Sequence, residues 1–359
     1  MKKLIALLLC LILVISMAAC ASDTQGPQPE DPAADAPSAP DETPSGTENE
    51  PEDTADKLVF GYVISDMSHE WYQNIAKGAR MRAEELGIEL KIADAAMDVA
   101  TQVNQIENLL TEDVDVQIIT PVDVNGLGSI MADAASYGIP VITESNTVDG
   151  AVTMVGIDNI TGGKKAGLWF AEYAEENQID PKILVVGAPS FPDARQRVEG
   201  FKAGMDEAGL SYEVVAEVDC NGSKETALMV CQDALTAHPE VNVIFGINDN
   251  AASGGMAAYK EAGLDESLLT TIGFGFEGAV GREALLSDSS YKAAVAMFPD
   301  FTGTALIDAA VKVANGEEIP EHYETATVVI TQENFDQFYT KDGDSYITNF
   351  DAIRALMEQ

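Results

Sequence analysis

The chain has 359 residues, 46% of them apolar, and a formal net charge of -40. That length exceeds what one hydrophobic core usually fills, and the apolar share supplies two, so two lobes of ordinary size are expected. Sixty Asp and Glu against 20 Lys and Arg exclude a nucleic-acid binder, which needs clustered cations to meet phosphates. Charge of this size keeps a protein soluble and monomeric and says little about fold.

Residues 1–19 carry Lys2 and Lys3, an apolar run from Leu4 to Met17 and then small residues, the layout of an export signal and short for a membrane span. The ending Met17-Ala18-Ala19-Cys20 resembles a bacterial lipobox. It implies lipidation of Cys20 and anchoring to the outer face of the cytoplasmic membrane; an ordinary cleaved signal is the alternative. Residues 20–56 follow with no Lys or Arg and seven prolines. Such a segment buries no core, and its mutually repelling carboxylates extend it into a spacer between a lipid and a folded body.

The folded part opens on Leu58–Ile64, a continuous apolar run that reads as a parallel strand covered on both faces. After a loop from Ser65 to Trp71, a helix ends at Leu86 before Gly87. Strand-like Glu89–Ile92, Val116–Thr120, Val141–Thr143 and Val152–Val155 alternate with helical Thr101–Leu110 and Leu127–Tyr137, a βαβ series that builds a parallel sheet. The stretch Val155–Gly167, V-G-I-D-N-I-T-G-G-K-K-A-G, reads as the first crossing into a second lobe, because the series restarts behind it. Helices Thr161–Asn177, Ala194–Ala208, Lys224–Ala237, Ala252–Glu261 and a short one ending at Leu286 alternate there with strands Ile183–Val186, Tyr212–Val218, Val243–Ile247, Thr270–Phe274 and Lys292–Ala296.

From Phe298 the chain returns through a helix at Phe301–Ala314 and crosses a third time near Thr325–Val329. The expected fold is therefore α/β, two Rossmann-like lobes with parallel sheets joined by a three-segment hinge. The first lobe takes 57–158 and 298–324, the second 159–297 and 325–340, and 341–359 is a C-terminal extension. A small molecule is expected in the cleft between them, at the carboxyl ends of the strands. Cys220 and Cys231 are the thiols of the folded part; a disulfide is open to them in an exported protein, though a strand end and a helical pattern favour two buried free thiols.

Several short runs, in this order and spacing, resemble the type 1 periplasmic sugar-binding proteins of ABC importers, the ribose-binding group in particular. They are P-V-I-T at Pro140–Thr143, the crossing G-I-D-N-I-T-G-G, A-R-Q-R-V-E-G-F at Ala194–Phe201, L-T-A-H-P-E-V at Leu235–Val241, Ile247-Asn248-Asp249-Asn250, Ile272-Gly273-Phe274 and Phe298-Pro299-Asp300. The resemblance covers roughly residues 58–338. It implies a monomeric binding protein, without cofactor or catalysis, that closes on a sugar-like ligand and delivers it to an ABC permease. A receptor signalling to a membrane kinase or chemoreceptor is the alternative use of the same lobes.

The resemblance also implies a pocket. Trp71 and Tyr72 stand where the family stacks aromatics on a sugar ring, preceded by Ser65, Ser68 and His69. Arg195 and Asn248 match the arginine and asparagine that bond the ligand, which leaves Arg197 a structural ion pair. Three positions depart: Ser145 and Asn146 replace an Asp-Arg pair, Gly275 replaces the Asp of G-F-D, and Met297 replaces a glutamine. With those carboxylates gone, the pocket is expected to be roomier, less acidic and more apolar, suited to a deoxy sugar, glycoside, nucleoside or small non-sugar. Glu277 either restores one carboxylate or sits solvated in its loop.

Gly273-Phe274-Gly275-Phe276-Glu277-Gly278 matches the dinucleotide pattern G-x-G-x-x-G, but it lies late in the second lobe with no acidic strand end behind it. His69, His238 and His322 are in no metal-binding register, and no nucleophile, base and acid fall into a catalytic pattern.

Overall fold

The computed structural model describes residues 57–287, 290–343 and 345–358; the export signal, Cys20 and the acidic spacer lie outside them. The first series runs β1 (Val59–Ile64), α1 (Glu70–Glu85), β2 (Glu89–Asp94), α2 (Val99–Leu110), β3 (Val116–Ile119), α3 (Gly128–Tyr137), β4 (Val141–Glu144) and β5 (Thr153–Gly156). The second runs α4 (Asn159–Glu176), β6 (Lys182–Gly187), α5 (Pro192–Glu207), β7 (Glu213–Asp219), α6 (Lys224–Ala237), β8 (Val243–Gly246), α7 (Asp249–Glu261), β9 (Thr270–Gly275), α8 (Ala279–Leu286) and β10 (Tyr291–Ala296). Then follow α9 (Pro299–Ala314), β11 (His322–Glu324), β12 (Val328–Ile330), α10 (Phe335–Phe338), β13 (Tyr339–Asp342), β14 (Ser345–Thr348) and α11 (Phe350–Met357).

One sheet has the order β11-β5-β4-β3-β1-β2 and is parallel throughout. The other has the order β12-β10-β9-β8-β6-β7, parallel except where β12 runs against β10. Strands this apolar need cover on both faces. Phe60, Tyr62 and Ile64 of β1 pack with Ile75, Leu306 and Ile307 on one face, while Val63 packs with Ile106, Leu109 and Ile130 on the other. Three connections pass between the sheets, β5 to α4, β10 to α9 and β11 to β12, as expected of the hinge. Two of them are tied together, Thr325 N donating to Gly156 O at 2.9 Å, and the third is held to the end of β9 by Met297 N donating to Gly275 O at 3.1 Å.

Several helices begin earlier than their apolar periodicity suggests, because polar caps set their first turns. Asp158 accepts from Thr161 N ahead of α4, and Asn248 accepts from Ala251 N ahead of α7, three residues before the helix expected at Ala252. The C-terminal extension is folded: residues beyond 338 form the β13-β14 hairpin and α11, and their Tyr339, Tyr346, Phe350 and Ile353 join Phe276, Phe298, Phe301 and Phe335 in a core of their own. Cys220 and Cys231 are free, buried thiols in the second lobe.

Two helix pairs pack at backbone distance. A Cβ on Gly163 of α4 would lie 2.2 Å from Arg197 O of α5, one on Gly167 2.1 Å from Phe201 O, and one on Gly204 2.3 Å from Lys164 O. In the first lobe a Cβ on Gly78 of α1 would lie 1.8 Å from Asp300 O of α9, and one on Gly303 2.0 Å from Ile75 O. Backbone cannot step aside as a side chain can, so an added methyl forces the helices apart. Gly167→Ala is therefore expected to destabilise by about 1–3 kcal/mol in denaturant unfolding, despite alanine's helix preference of about 1 kcal/mol. Gly128→Ala, at the open start of α3 where nothing lies within 4 Å of the new methyl, should leave stability unchanged or raise it.

Candidate functional site

The loops after β1 and β4 of one sheet and after β9 of the other come together and form two walls of a cleft. In the first wall Ser65 follows β1, buried, with its Oγ donating to Thr120 O at 2.8 Å. His69 caps α1 by accepting from Trp71 N at 3.1 Å, and its ring meets the edge of Tyr72 at 5.9 Å. The cap turns the next two residues inward. Trp71 packs against the cores of both lobes, whereas Tyr72 packs only against the first. Burial, and next the nearby Glu144, push the Tyr72 hydroxyl up to about 12.

Glu144, the last residue of β4, is fully buried. One of its carboxyl oxygens accepts from Ser145 Oγ and the other, Oε2, has no hydrogen-bond partner. Burial lifts its pKa from 4.5 to about 7; bonds from Ser145 and Thr120 oppose this, and Asp193, from the opposite wall, adds to it. Tyr62 completes this wall, its hydroxyl 2.9 Å from Thr120 Oγ1 and driven upward by burial and Glu144.

The second wall centres on Arg197. Its Nε donates to Asn159 Oδ1 at 2.9 Å, one terminal nitrogen donates to Ile247 O at 2.9 Å, the other pairs with Asp193 at 3.2 Å, and the guanidinium stands 4.6 Å from the Phe274 ring centre. Burial lowers its pKa, and Asp193 and Glu277 act the other way. Beside it Glu277 is raised by burial, while Arg197 and His69 pull it back down. Asp249 is buried with Tyr291 donating to one oxygen and nothing bonding the other, and burial with Glu277 nearby holds it well above the carboxylate range. The walls touch: Asn74 Nδ2 donates to Glu277 O at 3.2 Å, and a Cβ on Gly278 would lie 2.2 Å from Glu70 Oε2.

Of the residues singled out in the sequence, Ser65, His69, Trp71, Tyr72 and Ser145 come together in the first wall. Asn146 is exposed, with its backbone amide bonded to Glu144 O. Asn248 spends its side chain on capping α7 and on donating to Gly222 O at 3.0 Å. Met297 is buried in the hinge. Arg195 does not join them: it is exposed, donates to Pro189 O at 2.6 Å, and lines a cavity of about 350 Å³ between α5 and β7 on the lobe's flank. The buried arginine is Arg197, whose role reaches beyond the ion pair expected of it. Helical spacing carries that information, since Ala194, Arg197, Phe201 and Met205 form one buried stripe and Arg195 falls off it.

The expected loss of acidity does not occur either. Gly275 has φ 101°, and a Cβ there would lie 2.1 Å from Glu277 Oε2, so the Glu277 carboxyl loops back into the space a side chain at 275 would enter. On the other wall, Glu144 supplies a carboxyl one residue before Ser145. The two walls therefore bring together Glu144, Asp193 and Glu277, while Asp249 lies behind them between β9 and α8, its Oδ2 2.5 Å from where a Cβ on Gly281 would stand.

A carboxyl raised from 4.5 to about 7 favours the protonated fold, so its contribution is full below pH 4.5 and is lost as pH climbs to about 7. Relative to a Glu144→Gln variant, ligand-free wild type should thus lose roughly 3 kcal/mol of stability across that window, read from melting curves.

Comparison with known proteins agrees with the fold. A family described as a periplasmic binding protein domain matches residues 60–318. The ribose import binding protein of Salmonella typhimurium is 30% identical over 269 residues, 74% of this chain and 88% of that protein. Among solved structures, an ABC transporter solute-binding protein from Mycobacterium smegmatis with bound glycerol is 27% identical, with TM-score 0.68 over 82% of this chain and 99% of that one. An ABC transporter periplasmic solute-binding protein from Actinobacillus succinogenes with bound D-allose is 25% identical, with TM-score 0.69 over 79% of this chain and all 100% of the other.

Proposed function

We propose, given that this chain belongs to the periplasmic binding protein family, that it captures a sugar or sugar-like small molecule outside the cytoplasm and hands it to an ABC permease. The observation that carries the reading is Trp71, the aromatic at the cleft that touches the cores of both lobes. Its face suits the C–H face of a sugar ring, while Tyr72, Glu144, Asp193, Arg197 and Glu277 supply the donors and acceptors that ring hydroxyls need. The relative named for ribose import and the solved neighbour holding D-allose point to the same ligand class.

The mechanism follows from the hinge. A ligand between the walls makes its full set of contacts only when they meet, so binding shifts the population toward the closed form, and the closed surface is what the permease reads. Arg197 takes the hydrogen-bonding part first given to Arg195. Cys20 carries the lipid, the acidic spacer sets the body off from the membrane, and the protein works as a monomer. Among the described residues no helix is long and apolar enough to cross a membrane.

A thermal-shift screen of the full chain against pentoses, hexoses and cyclic polyols tests the reading. A ligand at 100-fold its dissociation constant adds about 2.7 kcal/mol, which moves the melting point by several degrees. Trp71→Ala should erase that shift while the ligand-free melting point stays within a few degrees; a retained shift would remove Trp71 from the site. For the anchor, Cys20→Ser is expected to move the protein from the membrane fraction to the soluble one, and an unchanged membrane fraction would speak against lipidation there.

A further inference from the structure

We infer that the cleft is built for a polyhydroxylated ligand bearing a primary amine, an amino sugar or amino-substituted cyclitol, whose ammonium is received by Glu144 together with the facing Asp193. This rests on the sugar-type reading above and narrows it.

The argument is one of charge. Three carboxyls, Glu144, Asp193 and Glu277, meet between the walls, with Glu70 approaching the Glu277 loop at Gly278. Among the described residues only Asp193 of these three forms an ion pair, and its partner Arg197 is already shared with Asn159, the Ile247 carbonyl and the Phe274 ring. Arg282 stands over the Tyr339 ring at 5.9 Å and points toward Glu277 O at 3.5 Å, and its charge acts on Asp249 rather than on these three carboxyls. His69 faces Glu277 but uses its Nδ1 to cap α1.

One of these carboxyls also leaves an acceptor idle. Glu144 Oε2 is buried without a hydrogen-bond partner, a costly condition for a polar atom and more so once it ionises. Glu144 lies at the strand end that faces Tyr72 and, across the cleft, Asp193. A hydroxyl would satisfy one lone pair but bring no charge to stabilise the ionised form of Glu144. An ammonium does both, with three donors and a positive charge. A metal ion is the other way to balance carboxylates, but among the described residues no three His, Cys, Asp or Glu are grouped to hold one.

The test uses twins that differ only at one substituent. Calorimetric titration of the full chain near neutral pH compares D-glucosamine with D-glucose, D-galactosamine with D-galactose, and an amino-substituted inositol with myo-inositol; the N-acetylated sugars keep the nitrogen and lose its charge. At least one amine should bind tenfold or more tightly than its hydroxyl twin and lose that advantage on acetylation. Glu144→Gln, whose melting point reports whether it is folded, should erase the preference, and Glu277→Gln should leave a smaller one. Neutral twins that bind as well as or better than the amines would overturn the inference while leaving the sugar reading in place, as would a preference that survives in folded Glu144→Gln. Binding by none of the panel would overturn both.

Discussion

Backbone-to-backbone contact between helices is the constraint on which the cleft depends. Each wall of the site starts from a helix, α1 behind Trp71 and Tyr72, α5 behind Asp193 and Arg197, and each is pressed without intervening side chains onto the helix that follows a hinge crossing. Gly163 admits the carbonyl of Arg197 itself, and Gly78 admits that of Asp300, two residues past Phe298. Motion at the hinge therefore carries the site residues as rigid parts of their lobes. Side-chain packing alone would let a wall yield when the cleft closes; a carbonyl resting where a methyl would be leaves it nowhere to go.

Rigid walls are what allow a cleft to keep so many carboxyls. Desolvation penalises Glu144, Asp249 and Glu277, and it raises the proton affinity of all three. The Tyr72 and Tyr62 hydroxyls feel the same burial and the same Glu144. Strand ends and helix starts are held by their own caps, with His69 in the first wall and Asn248 in the second lobe spending side-chain atoms on backbone amides.

Much of this was legible in the sequence. Unbroken apolar runs between helical patterns gave the two sheets, and the restart after Val155–Gly167 gave the crossing, because those signals depend on local periodicity alone. The carboxyls were harder to place. Glu144 sits one residue ahead of the position at which a side chain was sought, and the positive φ of Gly275 lets a residue two places along fill its space; neither depends on a pattern that spacing reveals. Arg197 makes the ion pair expected of it, with Asp193, and its further bonds follow from the helical stripe that buries it, which the match of a short run did not reveal. Residues 341–359 read only as a C-terminal extension, and the partners at Phe276, Phe298 and Phe301, distant in sequence, are what make its aromatics core.

That tail bears on the order in which the molecule is assembled. The cluster around Phe276 and Phe298 is closed by residues 335–353, and the first sheet receives its edge strand β11 only after the whole second series has been made. Neither lobe can be completed from the ribosome's early output, and contacts that join the ends of a chain form slowly. For a protein that works outside the cytoplasm, late closure prolongs the interval in which the chain is still loose enough to be threaded through a membrane pore.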